Sequence, residues 1–206
     1  MNIVLISTYE LGRQPFGLAS PAAWLRKRGH AVVCLDLSRE SLDERAVCAA
    51  GLIAIYLPMH TATRLAAKLL PHLRELNPRA HLCCYGLYAP MNAEYLRTLG
   101  VATILGGEFE RGLVQVAERL QSGDRFKTLP QTEPIVSLER LAFEVPDRSD
   151  MPPIEGYAHL VMPGGGFSPS RSRTVGATSE RRPPSRSAAP ATPRRTQSRT
   201  KPASPW

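Results

Sequence analysis

Five short apolar runs recur between residues 3 and 105, and each is followed by a stretch with helical spacing. The runs are Ile3–Ile6, Ala31–Leu37, Leu52–Leu57, His81–Tyr85 and Val101–Leu105. Leu52–Leu57 is apolar without interruption, as a strand buried on both faces should be. Strand–helix alternation with short connections predicts parallel βαβ units joined by right-handed crossovers. Five strands in about 120 residues suit one doubly wound sheet of order 2-1-3-4-5. The fold class is therefore α/β.

Helix boundaries follow from capping chemistry. Ser20 reads as an N-cap with Pro21 at the first helical position, and the helix stops at Gly29. A weak helix covers roughly Leu42–Ala50. Thr61 caps the next, in which Leu65, Leu69, Leu73 and Leu76 share a face and Pro71 should kink or end the first half. Asn92–Leu99 forms a short helix closed by Gly100. The last begins near Glu108, with Phe109, Leu113, Val116 and Leu120 on one face. Glu108 and Glu110 in its first turn suit the helix dipole. This is the flavodoxin-like arrangement of a five-stranded parallel sheet.

Charge divides the chain unevenly. The net charge is +8, but residues 163–206 hold nine of the 26 Lys and Arg and one of the 18 Asp and Glu. That leaves 17 of each sign in residues 1–162, so the folded part is neutral. Within those 44 tail positions stand eight Arg, eight Ser and eight Pro, a composition that predicts a disordered basic tail. Pro130, Pro134, Pro146, Pro152 and Pro153 mark residues 122–162 as a linker, in which only Ile135–Phe143 has the composition to be ordered. The domain proper is residues 1–121.

Cys34, Cys48, Cys83 and Cys84 lack C-x-x-C spacing, which argues against a zinc site. Three of them lie in apolar runs, where thiols act as small hydrophobes. Reduced thiols, an N-terminus without a basic n-region and no run of about 20 apolar residues predict a cytoplasmic protein with no membrane partner.

In an open parallel sheet, ligands bind beyond the carboxyl ends of the strands, at the switch point between strands 1 and 3. That rule selects the loops Ser7–Gly17, Pro58–Thr61, Gly86–Pro90 and Gly106–Glu108. Candidate binding residues are Thr8, Tyr9, Glu10 and Gly12 on the first; Pro58, His60 and Thr61 on the second; Gly86 and Leu87 on the third; and Gly106, Gly107 and Glu108 on the fourth. Glycine at these edges either lets a flat ligand approach the backbone or only makes a tight turn. His60 is either a cofactor contact or a surface histidine.

Three phrases carry a resemblance: Ser7-Thr8-Tyr9-Glu10-Leu11-Gly12, Pro15-Phe16-Gly17-Leu18-Ala19-Ser20 and Gly106-Gly107-Glu108-Phe109-Glu110. Together with Tyr85-Gly86-Leu87-Tyr88-Ala89-Pro90 they resemble the cobalamin (B12)-binding-type domain that precedes the barrel of radical SAM proteins. The stretch from Val145 to Pro153 looks like that family's bridge into its barrel. The resemblance implies a corrinoid lying over the strand ends. Two departures qualify it. Many cobalamin domains use D-x-H-x-x-G, whose histidine sits beneath cobalt; the same frame here holds Ser7, Tyr9 and Gly12, so no imidazole comes from this loop. Radical SAM chemistry also needs C-x-x-x-C-x-x-C for its [4Fe–4S] cluster, and no cysteine follows Cys84. No cluster or SAM site is expected, and the chain should not be catalytic alone.

The Arg/Pro/Ser bias of the tail resembles GC-rich DNA read out of frame, which suggests a truncated or frameshifted product. Two other functions compete. Leu25-Arg26-Lys27-Arg28-Gly29-His30-Ala31-Val32 also resembles the first βαβ unit of nucleotide-sugar glycosyltransferases. Alternatively, an inert scaffold carries a basic arm that binds nucleic acid through charge alone.

Overall fold

The computed structural model describes residues 1–123, 135–138, 140, 142, 144–161 and 167–169. Strands β1 (Asn2–Ser7), β2 (Ala31–Asp36), β3 (Leu52–Tyr56), β4 (His81–Tyr85) and β5 (Thr103–Gly107) pair in parallel in the order 2-1-3-4-5. A sixth strand, β6 (Ile135–Ser137), extends the sheet beside β5, with Leu105 opposite Ile135 and Gly107 opposite Ser137. It arises from the part of 122–162 that the sequence marks as able to order. Strand β5 starts two residues later than expected and takes Gly106 and Gly107 into the sheet. A separate hairpin pairs β7 (His159–Val161) with β8 (Phe167–Pro169). Apart from these hairpin backbones, the tail expectation falls outside the described residues.

Period-two alternation distributes the strand side chains between two cores. Ile3, Leu5, Leu52, Ala54, Cys83 and Leu105 pack against Leu18 and Leu25 of α1 (Phe16–Lys27) and Leu113 and Val116 of the final helix. Val4, Ile6, Ile53, Ile55, Cys84 and Ile104 pack on the opposite face. That face meets α2 (Glu44–Ala49), α3 (His60–Leu76), α4 (Tyr88–Met91) and α5 (Ala93–Thr98), through side chains including Val47, Leu70, Leu73, Ala89 and Leu96. The final helix is α6 (Glu110–Gln121). Each fully buried Leu or Ile on these faces contributes about 1.5–3 kcal/mol. No helix among the described residues is long and apolar enough to cross a membrane.

The glycine stops are correct and the proline rules are overridden. Gly29 (φ +79°) and Gly100 (φ +87°) end α1 and α5 in Schellman motifs. His30 and Val101 donate back to the Leu25 and Leu96 carbonyls, and the glycines donate to Arg26 and Arg97. Helix α1, however, begins at Phe16, so Pro21 lies inside it and Ser20 is no cap. Pro21 has no N–H for the Gly17 carbonyl four residues earlier; the Tyr85 hydroxyl donates to that carbonyl instead, at 2.7 Å. Ser20 Oγ donates to Glu110 Oε1 at 2.7 Å. Glu110 is consequently buried between helices rather than exposed at a helix end, and α6 opens at Glu110 rather than Glu108. Likewise α3 starts at His60, with Met59 at the cap position and no capping side chain, so Thr61 lies within its first turn. It runs through Pro71, which stands on the exposed side, where one lost hydrogen bond matters least.

Asn77 ends α3 and ties it to α2. Its Nδ2 donates to the Val47, Cys48 and Ala50 carbonyls at 2.9, 3.1 and 2.9 Å, while Oδ1 accepts from the Arg79 and Ala80 N–H groups. Asn77→Ala removes the donor from the buried Ala50 carbonyl and the side-chain tie to α2, and should lower stability by about 2 kcal/mol. A shift in urea midpoint with unchanged slope is the readout; an unchanged midpoint would refute the account.

Residues 144–158 lie against the β2 edge instead of leading freely away. Asp147 N–H donates to the Ala19 carbonyl, and Asp150 accepts the Cys34 N–H at 2.9 Å, covering a donor on an otherwise open edge strand. Arg26 bridges both acids at 2.6 and 2.7 Å. The Ser149 backbone N–H, with Arg26, holds the Asp147 carboxyl down at about 2. Tyr157 is buried, and its hydroxyl donates to Asp36 at 2.8 Å. Ala158 N–H closes the strap onto the Gly12 carbonyl.

Candidate functional site

The carboxyl edge of the sheet carries a row of polar groups in register. Asp36, Ser7, Tyr56 and Tyr85 are successive partners across β2, β1, β3 and β4. They continue the face occupied by Val32, Cys34, Ile3, Leu5, Leu52, Ala54 and Cys83. The apolar alternation thus turns polar at its last step, where a ligand would sit. Tyr56, Tyr85 and Phe109 stack below this edge, with ring centres 4.9 to 5.8 Å apart.

Above the row, Glu10–Arg13 forms a tight turn closed by Arg13 N–H to the Glu10 carbonyl at 2.8 Å. Leu11 (φ +51°) and Gly12 (φ +71°) both take left-handed conformations, as a type I′ turn requires. Leucine is an unusual residue there, since its Cβ is strained in that region. Its side chain is 58% exposed. The fold holds an apolar group over the rim at a conformational cost.

Several polar atoms around this turn lack partners. Ser7 Oγ, Glu10 Oε2, Gln14 Oε1 and Glu110 Oε2 are buried without a hydrogen bond. Burial pushes the Glu10 carboxyl up to about 8, with Asp36 adding to the rise and Arg13 opposing it. Burial also raises the Tyr56 phenol, and the Glu10 and Glu110 carboxyls raise it further. Glu110 itself is raised by burial, against the stabilising bond from Ser20. Such uncompensated groups are costly in an interior and mark sites where something else supplies the bond.

The twelve residues expected at the rim fall into separate places. Thr8, Tyr9, Glu10 and Gly12 lie on the β1–α1 connection, but Thr8 Oγ1 is committed to the Ala62 carbonyl at 3.1 Å. Pro58 precedes α3, which His60 and Thr61 open. His60 lines a groove of about 540 Å³ with Tyr88 and Tyr95. Gly86 and the exposed Leu87 lead into α4, which occupies part of the expected loop. Gly106 and Glu108 border a hollow of about 300 Å³ with Ile135 and Ser137.

The glycines serve the protein's own packing. A Cβ at Gly17 would collide with the Tyr56 ring, at Gly106 with Pro90, and at Gly107 with the Ser137 carbonyl. At Gly86 it would come within 3.0 Å of the Leu57 carbonyl. Gly12 alone among these rim glycines meets ordinary contact, at 3.4 Å from Ala158, and is required by its positive φ. Sequence reasoning did not select Asp36, Tyr56, Gln14 or Glu110. For the first two the signal was present: apolar strands that each end on a polar residue at one register. Among the described residues, no group of three or more His, Cys, Asp or Glu could hold a metal ion.

No family model matches the sequence, and no curated protein matches it. Solved structures do. One is the radical S-adenosylmethionine methyltransferase TsrM from Kitasatospora setae, solved with tryptophan and a SAM analogue. It matches with a TM-score of 0.50 and 15% identity over 60% of this chain. The match spans 26% of that enzyme's length. A flavodoxin-like domain from a Synechococcus species matches at 18% identity and a TM-score of 0.42, over 62% of this chain and 99% of its own. At these identities the TsrM likeness bears on the fold alone: a doubly wound parallel sheet of the flavodoxin-like kind.

Proposed function

We propose that this domain is a binding module of the corrinoid type, which seats its guest over the carboxyl ends of β1 and β3. One observation carries the proposal: Ser7 Oγ, Glu10 Oε2 and Gln14 Oε1 are buried there without partners. A corrin bears primary amides around its ring, and their N–H groups are suited to such oxygens. With a carboxyl titrating at about 8, Glu10 is mostly protonated at neutral pH and both donates and accepts. The exposed Leu11 and Leu87 offer apolar contact from two sides of the rim. These groups fit the corrin periphery. They provide no imidazole for the metal, because the D-x-H-x-x-G frame holds Ser7, Tyr9 and Gly12. The rim glycines add no room, since the protein fills the space beside them.

The proposal is for binding rather than turnover, since the cluster-forming cysteine pattern is not in this sequence. After incubation with hydroxocobalamin and desalting, the protein should keep corrin absorbance at near-equimolar ratio. Leu11→Asp places a charge at the rim on a residue type that tolerates left-handed backbone. It should weaken retention about tenfold, the loss expected from one apolar contact, with an unchanged circular dichroism spectrum. A colourless wild-type protein after desalting overturns the proposal.

A further inference from the structure

Away from the β1–β3 rim, α3 and the α4–α5 pair enclose the groove of about 540 Å³, a volume typical of small-ligand sites. Its two walls differ in chemistry. His60, Arg64 and Lys68 follow at i, i+4 and i+8 on α3, so they share one helix face. They span about 12 Å along the axis. Tyr88, Met91 and Tyr95 supply the other wall.

Two features narrow the occupant. No carboxylate lines the groove, and Arg64 and Lys68 have no ion-pair partner among the described residues. An unpaired guanidinium and ammonium on one face suit an anion with several oxygens, phosphate above all. Met91 is 72% and Tyr95 54% exposed, which leaves aromatic and thioether surface uncovered beside those cations. A ligand with phosphate at one end and a flat ring at the other answers both.

We propose that this groove is a nucleotide site, with phosphate held by Arg64 and Lys68 and the base lying against the Tyr88–Tyr95 wall. The site is independent of the corrinoid reading and uses none of the residues on which that reading rests; His60 opens α3 at the groove's end.

Equilibrium dialysis of the full chain against AMP, GMP, CMP and UMP, with adenosine and inorganic phosphate as comparison probes, tests it. At least one nucleoside monophosphate should bind saturably and more tightly than adenosine or phosphate. Arg64→Glu and Lys68→Glu should each weaken that nucleotide roughly 10- to 100-fold, as expected for a lost charge-assisted hydrogen bond. Tyr95→Ala should weaken the nucleotide while leaving phosphate unchanged. All three positions are exposed, so folding should be retained, and far-ultraviolet circular dichroism verifies it. Hydroxocobalamin retention in the Arg64→Glu protein should equal wild type, separating this site from the rim. No saturable binding of any of the four nucleotides overturns the proposal. So does phosphate binding as tightly as the best nucleotide, or nucleotide affinity indifferent to both charge reversals.

Discussion

Replacing Tyr85 by alanine is expected to remove about 4 kcal/mol of stability, a large share of what a domain of this size has. Tyr85 is among the largest fully buried side chains, stacked on Tyr56 and Phe109. The hydroxyl makes a smaller contribution that can be isolated. Tyr85→Phe leaves the Gly17 carbonyl without a donor, because Pro21 has none to give, and should cost about 1–2 kcal/mol. In a Pro21→Ala background the helix regains an N–H aimed at that carbonyl. The Tyr85→Phe penalty should then shrink by about 1 kcal/mol, a coupling measurable by urea unfolding of the four proteins. Strictly additive losses would show that the hydroxyl and the proline are unrelated.

That same pair shows where the sequence is legible and where it is not. Strand order and both Schellman glycines follow from local pattern, since period-two alternation and positive-φ turns are properties of neighbouring residues. The start of α1 does not. Pro21 looks like a first-turn residue until a tyrosine 64 positions later supplies the missing donor. Ser20 has the chemistry of a cap but meets a glutamate 90 residues away. The sequence marks Ile135–Phe143 as able to order but not where β6 pairs, and it gives no sign of the strap at 144–158: both depend on a β5 edge and an Arg26 fork that only the folded sheet creates.

Site residues divide along the same line. Glu10 and Gly12 are selected by the rule that loops at the switch point hold ligands. The rule also selects Gly86, Gly106 and Gly107, whose missing side chains make room for Tyr56, Pro90 and Ser137. A glycine needed for internal contact and one needed for a ligand look alike in a sequence. What separates them is whether the vacated space is already filled.

The sharpest test of the rim is the titration of Glu10. Its carboxyl titrates at about 8 in the folded chain, against an ordinary value near 4.3 in the unfolded one. Between those values the folded state holds a proton that the unfolded state has released, so stability must fall as pH rises. The contribution is complete below about pH 4 and gone above about pH 8. At about 1.36 kcal/mol per unit of displacement, the ceiling is near 5 kcal/mol. Glu10 is half-buried, so solvent screening reduces the expectation to about 3 kcal/mol. Glu10→Gln keeps the shape of the protonated acid and removes the titration. It should match wild type near pH 4.5 and exceed it by about 3 kcal/mol at pH 8.5, by urea unfolding at each pH. Glu110 is raised as well, so the variant retains some slope, and the difference between the two proteins isolates Glu10. A difference that stays flat with pH would mean that water already solvates this carboxyl. The rim would then have no unmet hydrogen-bonding demand at Glu10 for a guest to satisfy.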